Sequence, residues 1–265
     1  MFHKAKKSLG QNFLHAPQVI TKMVLEAGIG IGDMVLEIGP GKGVLTAGLL
    51  EAGAHVIAVE KDRDLIALLR EKFTDAIGKG QLQLVEDDIL KFDPKEYKLR
   101  AAQYKIVANI PYNITGAIIE RFLADVTAPS RMILLVQKEV AARISATNGK
   151  ESILSLSVKA FGIPKRIMNV GARYFRPEPK VDSAVIAITE ISKKNFKKTG
   201  DEKKFFTLVK QGFAHKRKLL IGNLSGSAMS REKLADVFKK LSIPISARAE
   251  NLKLAQWLAL ARALS

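Results

Sequence analysis

Two short stretches of this chain hold residue types at spacings that chemistry can use. Asn109-Ile110-Pro111-Tyr112 puts a side-chain amide, a proline-fixed turn and an aromatic ring within four residues. An amine on an aromatic ring is a poor nucleophile because its lone pair is delocalised. It improves when acceptors hold both of its hydrogens and the nitrogen turns pyramidal; the Asn109 side-chain oxygen and a backbone carbonyl beside Pro111 are two such acceptors. Pro111 has no amide hydrogen to compete for them, and Tyr112 offers a face on which a purine can stack, worth roughly 1–3 kcal/mol per base. The second stretch is Gly39-Pro40-Gly41-Lys42-Gly43, preceded by Glu37 and followed by Glu60, 21 residues after Gly39. Glycines let backbone approach a ligand with no Cβ in the way, and the helix amides that follow are unpaired. The G-x-G-x-G spacing differs from the dinucleotide fingerprint G-x-G-x-x-G, so a pyrophosphate fits less well than a nucleoside whose ribose hydroxyls are held by Glu60. Glu86-Asp87-Asp88 supplies one more acid, placed to accept from the exocyclic amine of the same nucleoside's base. Spacing leaves open whether that acid is Asp87 or Asp88.

These residues need strand ends to bring them together. Short β-branched runs alternate with helical patterns through the first part of the chain, which predicts βαβ units and a parallel sheet. The predicted strands are 33–38, 55–60, 82–86, 104–108, 132–136 and 184–189, with helices over 44–51, 63–73, 115–124 and 153–160. Glycine loop, Glu60, Asp87/Asp88 and Asn109 each close one of the first four strands, where the ligand of a doubly wound sheet lies. The last part reads as helices only, over 205–214, 231–241 and 252–264. A domain boundary falls near residue 190, giving 1–190 and 191–265, with Lys193 to Lys204 polar enough to be a linker or an exposed loop.

The chain has 265 residues and a formal net charge of +17, with 47% hydrophobic residues. That composition suits a folded protein with a polyanionic partner, nucleic acid or an anionic surface. The excess is uneven: residues 186–265 hold 17 basic against 6 acidic side chains. No cysteine is present, which excludes disulfides, Cys-ligated metals and a Cys nucleophile. Lys4, Lys6 and Lys7 could open a secretory signal, but no apolar stretch follows them. A cytoplasmic protein is expected, with no membrane contact and no bound metal. His3, His15, His55 and His215 form no constellation and read as structural or surface residues.

Taken together, Glu37–Gly43, Glu60, Asp88 and Asn109–Tyr112 resemble the successive motifs of class I methyltransferases that use S-adenosyl-L-methionine and modify the exocyclic amine of adenine. Gly10-Gln11-Asn12-Phe13-Leu14, the stretch Gln137 to Arg143, and Phe175-Arg176-Pro177-Glu178-Pro179-Lys180-Val181-Asp182-Ser183 narrow the resemblance to the ribosomal RNA adenine dimethyltransferases, and among them to the housekeeping small-subunit family, KsgA/RsmA. Phe213 to Lys218 and Arg248 to Leu252 are similar to that family as well, so only the lysine-rich 193–204 stands outside.

The resemblance implies a Rossmann-like class I methyltransferase sheet with a small C-terminal all-helical domain. It also implies S-adenosyl-L-methionine as cofactor. Asn12 and Leu14 would close over it, Gly39 would line its methionine side next to Gly41, and Glu60 would hold the ribose. The choice between the two aspartates falls to Asp88, on the cofactor's adenine. Asn109 would serve both the cofactor and the target amine, with Pro111 beside it, and the flipped base would sit between Tyr112 and Phe175. Sulfonium is already an activated leaving group, so transfer needs in-line approach and a freed lone pair more than a strong base. The implied partners are small-subunit (16S) rRNA and an immature 30S-type subunit, met by a monomer through Lys216, Arg217 and Lys218. Two departures stand out: Ile110 is a permitted apolar variation, and Gly116 replaces a larger residue, which bears on helix packing. Three other readings compete: a large-subunit methyltransferase of the macrolide-resistance type, a ribosome assembly factor acting mainly by binding, and a nicotinamide-dependent oxidoreductase. The 137–143 and 175–183 stretches favour the small-subunit enzyme over the first, and glycine spacing disfavours the last.

Overall fold

The structure is a computed structural model that describes residues 6, 9–226 and 230–264; His3, Lys4 and Lys7 lie outside the described residues. The chain divides into two compact units, residues 1–141 with 162–192, and residues 142–161 with 193–265. The boundary expected near residue 190 thus has a counterpart after Ser192, but the helical unit also takes a segment from the middle of the chain.

The first unit opens with β1 (Phe13–Leu14) and α1 (Pro17–Ala27). Pro17 starts α1, where its missing N–H costs nothing, and Gly28 ends it in the left-handed region with φ 58°. There follow β2 (Met34–Ile38), α2 (Val44–Glu51), β3 (His55–Glu60), α3 (Arg63–Lys72), α4 (Thr74–Gly78), β4 (Leu82–Glu86), β5 (Tyr104–Asn109), α5 (Thr115–Ala124) and β6 (Arg131–Gln137), and then α6 (Lys138–Ser145), within which the division after Ala141 falls. After an excursion into the other unit come β7 (Ile163–Val170), β8 (Phe175–Arg176) and β9 (Ser183–Thr189). The main sheet runs β4-β3-β2-β5-β6-β9-β7, parallel through β6, with β9 antiparallel to both β6 and β7. Parallel strands covered on both faces must be apolar at every position. Met132, Ile133, Leu134, Leu135 and Val136 are accordingly all fully buried.

The edge strand β7 is not evident in the sequence. Ile163-Pro164-Lys165-Arg166 has neither alternation nor an apolar run, and on an edge it needs neither. Strands β1 and β8 pair with each other, Leu14 opposite Phe175, and two residues carry no periodicity to detect.

The second unit holds α7 (Ile153–Phe161), α8 (Asp201–Gly212), α9 (Leu220–Leu224), α10 (Arg231–Lys240) and α11 (Leu254–Ala263). Trp257, Phe205 and Phe238 are fully buried in it. Gly212 is required there, because a Cβ would lie 2.4 Å from the Trp257 ring. Of the two readings of 193–204, linker or exposed loop, the linker is corrected: Lys193, Lys194 and 197–200 are exposed, but Asn195 donates to the Ala160 carbonyl at 2.7 Å, Phe196 packs on Phe161 and Phe205, and α8 already begins at Asp201. Charge counting misses these two anchors amid the lysines. Among the described residues, no helix is long and apolar enough to cross a membrane, and no group of three His, Asp or Glu is placed to hold a metal.

Candidate active site

A cavity opens at the carboxyl ends of β2, β3, β4 and β5, where the chain order reverses on either side of β2. Its floor is the glycine turn. The Gly39 amide donates to the Val59 carbonyl at 2.9 Å, tying the turn to β3. Gly43 sits at φ 72°, and a Cβ there would lie 2.4 Å from the Phe73 ring and 2.7 Å from Leu69. No other residue fits, because both the left-handed backbone and the close packing exclude a side chain.

Glu60 is 7% exposed and lines the cavity. Its carboxylate accepts from the amides of Gly41 at 3.3 Å and Asp62 at 2.9 Å. Burial raises its pKa, opposed by those backbone donors. Asp88 also lines the cavity; one oxygen takes Lys61 Nζ at 2.9 Å and the other takes the Leu90 amide at 3.0 Å. The Lys61 ammonium, aided by that amide, holds the Asp88 carboxyl below its ordinary value, so it stays an acceptor. Asp87 lies at the same rim with its carboxylate turned back onto the Asp88 amide at 2.7 Å.

The opposite wall is Asn109-Ile110-Pro111-Tyr112 at the end of β5. Asn109 Nδ2 donates to the Asn12 carbonyl at 3.1 Å, which leaves Oδ1 as the accepting end of the amide. Tyr112 is fixed by a 2.6 Å hydrogen bond between its hydroxyl and Ser183 Oγ. Ser183 is fully buried at the start of β9. It closes the 175–183 motif, whose sequence alone assigns it no task. The roof is the segment from Leu9 to Leu14, so Asn12 and Leu14 also reach the cavity.

Phe175 does not join them. It is 2% exposed in the core cluster opposite Leu14, and it is not among the residues lining the cavity. As folded here it presents no face to a base, because its side chain is buried in the core cluster. Gly116 is corrected too: it is exposed, and a Cβ would meet no atom within 4 Å, so its smallness does not bear on helix packing. Lys216, Arg217 and Lys218 are exposed in the loop between α8 and α9 of the helical unit. His15, His55 and His215 are exposed as well.

The residue that sequence reasoning names without a role is Glu37. It lines the cavity and is 1% exposed; Thr46 lies beside its carboxylate, and neither oxygen makes a well-formed hydrogen bond among the described residues. Burial pushes its carboxyl up from 4.5 to about 8, only partly offset by nearby Thr46 and the Lys72 charge. A buried acid of this kind is the complement of a cation or a hydrogen-bond donor that enters the cavity.

A seven-stranded sheet with its last strand inserted antiparallel, a glycine turn after the first of its parallel strands and acids closing the next two, define a class I methyltransferase fold. The chain's structure is similar to those of the 23S rRNA methyltransferase ErmE (TM-score 0.77, 25% identity, 96% of this chain and 99% of that one) and a dimethyladenosine transferase from Plasmodium falciparum (0.78, 25%, 94% and 95%). Residues 2–265 match the ribosomal RNA adenine dimethylase family, and the chain belongs to it. It is 39% identical over 255 residues to the ribosomal RNA small subunit methyltransferase A of Dehalococcoides mccartyi, covering 96% of this chain and 86% of that one. With the protein of the same name from Thermosynechococcus vestitus the identity is 38% over 268 residues, 98% and 97% of the two chains.

Proposed function

We propose that the protein transfers methyl groups from S-adenosyl-L-methionine to the exocyclic amines of two adjacent adenosines near the 3′ end of small-subunit (16S) rRNA. It does so as a monomer acting on an immature 30S-type subunit in the cytoplasm, as a step of subunit maturation. Relatives named for the small subunit share 38–39% identity along nearly the whole chain, against 25% for the 23S enzyme, and this favours the small-subunit substrate.

The cavity suits the cofactor. Glu37 is a buried acid with only Thr46 close beside it, available to a positively charged ligand, and Glu60 retains acceptor capacity for ribose hydroxyls beyond its two amide partners. Asp88 is an ionised acceptor for the adenine amine. Asn12 and Leu14 belong to the roof, and Gly39 and Gly41 bring backbone to the cavity without a side chain of their own. Bound there, S-adenosyl-L-methionine supplies a methyl group on a cationic sulfur, already activated for transfer.

The single observation that carries the reading is the orientation of Asn109. With Nδ2 committed to the Asn12 carbonyl, Oδ1 is the end that accepts one hydrogen of the target amine; a carbonyl beside Pro111 accepts the other. The nitrogen lone pair is then released toward the donor, and Tyr112, braced by Ser183, supports the base. Once nitrogen is alkylated its proton is acidic and leaves to water. Asn109→Ala should abolish transfer of labelled methyl to unmethylated small subunits, while the equilibrium affinity for S-adenosyl-L-methionine changes severalfold at most. Retained transfer in that variant would refute the lone-pair role.

A further inference from the structure

The roof over the cavity is fastened by side chains that the chemistry above does not use. Asp62 lies two residues after Glu60, is 2% exposed, and caps α3 by accepting from the Asp64 amide at 3.1 Å. Its carboxylate also reaches the N-terminal segment. One oxygen takes Lys6 Nζ at 2.6 Å and the other takes Gln11 Nε2 at 2.8 Å. Lys6 and Gln11 are joined to each other, the Lys6 amide donating to Gln11 Oε1 at 2.8 Å, and Lys6 Nζ also reaches Asp64 at 2.8 Å.

Both ends of this arrangement touch the reaction site. The Asp62 backbone amide donates to Glu60 at 2.9 Å, the residue given to the ribose. One residue past Gln11, the Asn12 carbonyl takes the Asn109 amide at 3.1 Å and so fixes which end of Asn109 faces the substrate. Little regular structure holds the segment otherwise: β1 is two residues long and pairs with two residues of β8.

We propose that Asp62, with Gln11 and Lys6, forms a clasp that holds the Leu9–Leu14 segment over the cofactor. Asp62 is thereby a positioning residue that sets both how long the cofactor stays and how Asn109 is aimed. A buried carboxylate is stable only when charge-assisted hydrogen bonds replace its water, and two of this one's partners come from the segment it holds. The segment is therefore closed when the clasp is made and loses its main polar anchor when the clasp opens. Because a misplacement of about 1 Å can cost 10²-fold in rate, loosening Gln11 is felt one residue away, at the carbonyl that orients Asn109. The inference rests on the methyl-transfer reading of the cavity.

Gln11→Leu and Lys6→Met open the clasp without touching the α3 cap, which Asp62→Asn also perturbs. On the full chain, stopped-flow release of S-adenosyl-L-methionine and deuterium uptake of residues 6–14, with and without cofactor, are the readouts. The expected result is release at least tenfold faster in both variants, raised uptake in the segment, a lowered kcat at saturating cofactor, and recovery in Lys6→Arg, with little change in melting temperature. Unchanged release and unchanged uptake in both Gln11→Leu and Lys6→Met would overturn the clasp. Failure of the wild-type chain to bind S-adenosyl-L-methionine would instead contradict the methyl-transfer reading, and uptake in the cofactor-free chain would then decide the clasp alone.

Discussion

Glu37 shows how a single residue records a ligand that the fold expects. Its ionisation is resisted in the folded protein and not in the unfolded chain, so the folded state holds an extra proton between about pH 4.5 and 8. The contribution of Glu37 to stability is therefore greatest below that window, falls as pH rises through it and is level above it. Glu37→Gln should flatten this slope in urea-unfolding curves and raise stability at pH 7 by roughly 3 kcal/mol, while weakening binding of the cationic cofactor. A variant with the wild-type slope would show that Glu37 is not the group responsible. At this scale most of the site is legible in the sequence. Gly39, Glu60, Asn109 and Tyr112 stand out by type and spacing, because backbone access, an acceptor and a stacking face need those residues at strand ends, whereas spacing leaves Asp87 and Asp88 undivided and only the family resemblance points to Asp88. Partners distant along the chain are not legible. Nothing in the spacing says that Ser183 holds Tyr112, that Asp62 holds Gln11, or that Phe175 folds inward opposite Leu14.

The elements that position these residues are legible where physics imposes a pattern. Strands β3 and β4 and helices α2 and α5 match the bounds expected from sequence: β3 is a buried apolar run, β4 on the sheet edge is a short β-favouring run bounded by polar residues, and the helices are flanked by turn residues. Where burial is partial, as in β7, or pairing is only two residues long, as in β1 and β8, no pattern is required and none is present. The loop between α8 and α9 is an element whose content is charge. Lys216, Arg217 and Lys218 are exposed together, and buried Asn223 on α9 braces the loop by donating to the Gly212 and His215 carbonyls at 2.6 and 3.1 Å. If this loop grips phosphates, reversing the three charges should weaken binding to small subunits and flatten its dependence on salt by about one unit of log-log slope for each phosphate no longer neutralised. Filter binding at several salt concentrations measures both, and an unchanged affinity and slope would remove the loop from the interface.

On the scale of the whole chain, the net charge of +17 is unevenly placed: residues 186–265 hold an excess of 11 basic side chains. Such an excess is suited to sequence-independent attraction to a polyanion, while the cavity proposed for the chemistry lies in the unit with the sheet. Residues 142–161 belong to the helical unit. Composition does not show this, because α7 is an ordinary amphipathic helix whose destination depends on the partner it packs against. In the proposed activity the helical unit would engage the subunit while the cavity takes an adenine amine. The most direct measurement is mass-spectrometric mapping of rRNA after unmethylated small and large subunits are incubated with the protein and labelled S-adenosyl-L-methionine. The account expects N6,N6-dimethyladenosine at two neighbouring positions near the 3′ end of small-subunit rRNA and at no other site. Label confined to large-subunit rRNA, or no label on either, would contradict it.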